Sequence, residues 1–130
     1  MAITSMSKGT NRSVEAATEN FVVASSTAAA TFIGKAKVPA NATILGVSVK
    51  TNIAMAGGTN VTVKVGGASA VAVSAAILTA TMTPALKQNT LISVAPLALT
   101  AAAVAEGNIT ITTVGTFTAG DIDVTIHYVV

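Results

Sequence analysis

Cysteine and tryptophan are absent from this 130-residue chain, which has one histidine and four aromatic side chains, three Phe and one Tyr. Without cysteine there is neither a disulfide framework nor a thiolate metal site. A single histidine, His127, leaves one imidazole base for any Ser-His-Asp arrangement, and no Cys-His pair can exist. Charge is scarce as well: 9% of residues are Asp, Glu, Lys or Arg, against about a quarter in an ordinary soluble domain. The net charge of +2 rests on Lys8, Arg12, Lys35, Lys37, Lys50, Lys64 and Lys87, which are scattered along the chain. Nucleic-acid binding asks for a basic patch with aromatic or arginine readers, and none is present, so nucleic acid is not expected as a partner.

Long strongly apolar runs are missing too. Residues 65–86 carry no charge, but a Gly-Gly pair, several Ser and Thr, and Pro84 interrupt them. A spanning helix needs about twenty predominantly apolar residues, so no membrane segment is expected. The N-terminus, MAITSMSKGTNRS, lacks the apolar core of a signal peptide. Phosphate-cradling loops are not matched either. Gly57-Gly58 and Gly66-Gly67 have no Gly-Lys-Ser/Thr following them and read as turns. The four sequons, at Asn11, Asn41, Asn60 and Asn108, read as chance matches in a Thr-rich chain.

What the chain does have is Ala, Val and Thr, with an apolar fraction of 52%. One domain of this length can build a real core. Because burial energy scales with apolar area, small side chains gain less each, and such a domain is expected to complete its burial in an assembly. The pattern of the apolar residues is that of strands. In Asp121–Val130 the side chains Ile122, Val124, Ile126, Tyr128 and Val130 alternate with Asp121, Asp123, Thr125, His127 and Val129, giving one apolar face. Thr31–Val38 alternates, with Ile33, Lys35 and Lys37 on one side and Phe32, Ala36 and Val38 on the other. Pro39-Ala-Asn41-Ala reads as a turn. Thr43–Ile53 is the longest strand expected, with Leu45, Val47, Val49 and Ile53 inward and Ser48, Lys50 and Asn52 outward. Asn60–Val65 puts Val61, Val63 and Val65 on one side, and Ala68–Ser74 and Leu91–Ala95 add short strands. Residues 75–105 leave strand and short helix both open, with Gly107 suited to a left-handed cap after Leu97–Ala105.

The expected fold is therefore mainly β: an antiparallel β-sandwich, jelly-roll-like, of about eight short strands. Residues 1–20 are expected to form an N-terminal arm, flexible or ordered on a partner, in which Ser13–Glu19 could make one helical turn. Residues 21–130 are expected to form a single β-sandwich domain. Candidate chemistry is thin. On the last strand His127 shares a face with Asp121 and Asp123, but Asp123 and His127 stand roughly 13 Å apart along a strand and cannot grip one ion. Asp121 and Asp123 could attract a cation yet make an incomplete site. Ile33, Lys35 and Lys37 read as a solubilising stripe. No catalytic, cofactor-binding or metal residue is assigned, no cofactor is expected, and the chain is not expected to be an enzyme.

Three stretches together resemble the small β-sandwich virion proteins of tailed bacteriophages, of the capsid decoration (cement) type. They are Pro39-Ala-Asn-Ala-Thr-Ile-Leu-Gly-Val-Ser-Val-Lys-Thr, Val63-Lys-Val-Gly-Gly, and Phe117-Thr-Ala-Gly-Asp-Ile-Asp-Val-Thr-Ile-His-Tyr-Val. The resemblance implies a structural subunit made in the host cytoplasm and carried on the outer surface of the phage head. It also implies a homo-oligomer, commonly a trimer, that holds neighbouring major capsid protein subunits together. A tail, baseplate or fibre subunit is the alternative of the same class. A carbohydrate-binding sandwich module is a third, disfavoured because sugar platforms use exposed aromatic faces.

Overall fold

A computed structural model describes residues 13–23, 29–66, 70–82 and 106–130. They form eight strands: β1 (Glu15–Val22), β2 (Ala29–Val38), β3 (Thr43–Ala56), β4 (Asn60–Val65), β5 (Val71–Ala72), β6 (Ile77–Leu78), β7 (Gly107–Val114) and β8 (Ala119–Val129). A single 3₁₀ turn, Thr79–Thr81, follows β6. Two antiparallel sheets result: a three-stranded one in the order β1-β8-β3, and a five-stranded one in the order β2-β7-β4-β5 with β6 also paired to β4. The fold is an antiparallel β-sandwich.

The period-2 pattern explains the layering. Strand β8 buries Ile122, Val124, Ile126 and Tyr128, as its alternation requires, while Val130 lies past the strand end and is exposed. From the facing sheet, Val61 and Val63 of β4 and Ile109 and Ile111 of β7 close the core, with Phe21, Phe117 and Tyr128 as its bulkiest members. Each joint β2–β3, β3–β4 and β7–β8 carries the chain from one sheet to the other. Asn41 makes the first of these at a φ of 62°, so the Pro39–Ala42 turn forms where Pro and Asn place it.

Strand β3 departs from simple alternation. Leu45 and Ile53, expected inside, are 46% and 56% exposed, whereas Ile44, Val47, Val49, Thr51 and Met55 face the core. The pairing with β8 slips between Ile44 and Gly46, again between Thr51 and Ile53, and once more before Ala56. Each bulge sets two residues against one and resets which face the next side chain takes. A pattern read straight through 43–53 therefore assigns Leu45 and Ile53 to the wrong side.

The last part of the expected arm, residues 15–20, belongs to β1, paired residue by residue with β8 from Glu15↔Tyr128 to Val22↔Asp121. They form a strand and not a helical turn, because the completed β8 offers an edge to pair with and Ala17 and Phe21 pack on the core. Gly107 opens β7 opposite Val38 and is not a left-handed cap. Its lack of a Cβ has another cause: one built there would meet the Gly66 backbone at 2.7 Å. Of residues 75–105, the described part resolves as β6 and the 3₁₀ turn. The Leu91–Ala95 strand and the Leu97–Ala105 segment lie outside the described residues, as do residues 1–12.

Candidate functional site

Among the described residues, the side chains capable of chemistry or recognition lie on the outer faces of the two sheets and at one corner between them. On the three-stranded sheet, β8 runs down the middle and sets the rows. Thr125 stands between Thr18 and Ser48, Asp123 between Asn20 and Lys50, and Asp121 between Val22 and Ile53. These neighbours satisfy one another. The Asn20 side-chain amide donates to Asp121 Oδ1 at 2.6 Å and to Asp123 Oδ1 at 2.8 Å, and Asn52 donates to Asp121 Oδ1 at 3.2 Å. The Thr18 and Thr125 hydroxyls are 2.9 Å apart. His127 Nε2 lies 3.2 Å from Ser48 Oγ.

The structure thus brings Asp121 and Asp123 together, as their same-face positions require, and holds them with an asparagine from β1. It does not bring His127 to them, since the Thr18–Thr125–Ser48 row intervenes. The His127–Ser48 contact joins a base to a hydroxyl. Nucleophile activation also needs a group that orients the imidazole, and no described carboxylate is hydrogen bonded to it. Among the described residues no group of three or more His, Cys, Asp or Glu could hold a metal ion.

On the five-stranded sheet Ile33, Lys35 and Lys37 share the exposed side of β2, with Ile33 54% exposed. Lys37 Nζ pairs with Glu106 at 3.2 Å, an exposed contact worth about 0–1 kcal/mol. Behind them the rows run Thr31–Thr112–Thr62 and Ile33–Thr110–Lys64. Threonine is well placed in such positions because β-branched side chains fit the pleat.

At the corner, β1 and β2 are the edges of their sheets, and a shallow groove of about 520 Å³ lies between them, lined in part by Phe21, Val22, Phe32 and Ile33. The β2–β7 pairing is irregular from Ile33 to Lys37, which leaves Lys35 and Ala36 with amides that β7 does not take. Glu19 of β1 takes them: Lys35 N and Ala36 N both donate to its Oε2 at 2.6 Å. Gly34 is required here, because a Cβ would collide with the Glu19 side chain. Sequence reasoning missed Glu19, Asn20, Ser48 and Asn52. Each acts through a partner on another strand, so only the strand register could have pointed to them.

The four aromatic residues offer no stacking platform. Phe21, Phe117 and Tyr128 are buried, and Phe32 is half-buried against the core. The Tyr128 hydroxyl is pushed above its usual pKa by burial first, then by its hydrogen bond to Glu15 and that carboxylate's charge. No helix among the described residues is long and apolar enough to cross a membrane.

No protein-family model matches the sequence, and no curated protein matches it. Among solved structures, a chain of the Cyanophage Pam1 capsid asymmetric unit aligns with a TM-score of 0.58 at 17% sequence identity, over 92% of this chain and 86% of that one. At that identity the likeness establishes a shared fold, the two-sheet sandwich just described, and assigns no residue a role.

Proposed function

We propose that this chain is a structural protein of a phage virion: a capsid decoration (cement) protein that binds the outer surface of the head and holds major capsid protein subunits together. The observation that carries the reading is the fold shared with a capsid chain over 92% of this sequence. The strand order supports it. The neighbours β1-β8-β3 and β2-β7-β4-β5 are those that winding a chain as two Greek keys produces, as in the jelly roll of viral capsid domains, while β6 pairs with β4 and does not extend the three-stranded sheet. The surface agrees with life in an assembly, being poor in charge and dotted with exposed Val22, Ile33, Leu45, Ile53, Leu78 and Val114.

In this reading the protein acts without catalysis, as a homo-oligomer, commonly a trimer, whose partner is the major capsid protein. A sugar-binding module is disfavoured, because no aromatic face is exposed for stacking. The test is co-sedimentation of the purified chain with expanded heads that lack it. Saturable binding, with DNA-filled heads surviving higher temperature once decorated, is the expected result. Binding to tails alone, or to neither, would refute it.

A further inference from the structure

The two outer faces of the sandwich carry net charges of opposite sign, and among the described residues few of these charges are paired. On the five-stranded face stand Lys35, Lys37 and Lys64, and among the described residues only Lys37 has a carboxylate within 4.0 Å. On the three-stranded face Asp121 and Asp123 accept hydrogen bonds from Asn20 and Asn52 and make no ion pair with a described residue, although Lys50 is the register partner of Asp123. Aliphatic side chains surround both sets. Val22 and Ile53 flank Asp121, while Ile33 and Val114 stand on the opposite face with Leu78 beside them.

We infer that the three-stranded face of one copy packs on the five-stranded face of a second, setting Asp121 and Asp123 against Lys35 and Lys64. The sign of the charges decides this arrangement over the symmetric ones. Counting Lys50, the three-stranded face keeps a net negative charge, with Asp121 and Asp123 against one lysine, and the five-stranded face a net positive one, with Lys35, Lys37 and Lys64 against Glu106. Either face set on its own copy would therefore meet net charge of its own sign. The threonine and serine rows, Thr18–Thr125–Ser48 and Thr31–Thr112–Thr62, allow both faces to approach without bulky charged side chains between them. The aliphatics supply apolar area, and the charges fix orientation. A contact between two different faces repeats from copy to copy, so it closes into a ring when its rotation allows. This inference rests on the homo-oligomer of the proposed function and not on its attachment to a head.

Light scattering and sedimentation of the full chain test it, using Asp123→Lys, Lys64→Asp and the double variant, with thermal melts as a folding control. The wild type is expected to exceed monomer mass and to dissociate as ionic strength rises. Each single reversal should weaken association at least about tenfold, and the double reversal should recover it. Should a reversed variant fail to melt cooperatively, Asp123→Asn and Lys64→Gln replace it, with a smaller weakening expected. An oligomer indifferent to the substitutions and to salt would overturn the assignment of faces while leaving self-association standing. A monomer at every concentration would overturn both.

Discussion

Thr51 is fully buried between the sheets, and among the described residues its hydroxyl has no hydrogen-bond partner. A buried polar group left unsatisfied costs about 1–3 kcal/mol, so the position would be better served by an apolar side chain of similar shape. Thr51→Val is expected to stabilise the protein by about 1 kcal/mol, read as a higher Tm by calorimetry. A lowered Tm would mean that the hydroxyl is engaged. Tyr128 carries a pH dependence of its own. Its folded pKa lies above the ordinary tyrosine value, so its contribution is full below that ordinary value and is lost as pH rises through the folded pKa. Melts between pH 8 and pH 12 should show falling stability on the alkaline side. In Tyr128→Phe the neutral-pH Tm should change little and the alkaline fall should shrink; an unaltered alkaline limb would place its origin elsewhere.

Among the elements, β8 was the most legible, because four large apolar side chains at period 2 leave one face to bury. It is also the strand on which the three-stranded sheet depends, pairing β1 on one side and β3 on the other. Removal of Asp121–Val130 is expected to abolish cooperative unfolding, and a soluble truncated protein with a sharp melt would contradict that placement. Strand β3 was half legible: Val47 and Val49 fall where alternation puts them, but three bulges displace Leu45 and Ile53. Bulges depend on the partner strand, and nothing in TILGVSVKTNI marks them. Strand β1 was hidden because its inward positions include Glu15, Ala17 and Glu19. Glu19 faces inward to reach the β2 amides, a tie made by a residue 16 positions away that no local pattern encodes. Glu19→Ala would leave those edge amides unpaired. It should cost about 1–3 kcal/mol and expose β2 to strand pairing between copies. Chemical denaturation would measure the first effect, and light scattering on heating the second. An unchanged midpoint would mean that water replaces Glu19 without cost.

For the molecule as a whole, the sequence's shortages and its architecture point the same way. Charges are few, cysteine is absent, and the aromatics are buried or half-buried against the core, while the outer sheet faces present rows of threonine and serine. The candidate site was legible as far as the Asp121/Asp123 face and the β2 lysine stripe, since both follow from alternation along one strand. Their neighbours on other strands, and the opposite charge of the two faces, came only with the sheet order. The role proposed for this sandwich is decoration of a phage head. Cryo-electron microscopy of heads with and without the purified chain tests it most directly. The account predicts added density of sandwich size on the outer surface, bridging neighbouring capsid subunits. Heads that look the same in both samples, or density confined to tails, would contradict it.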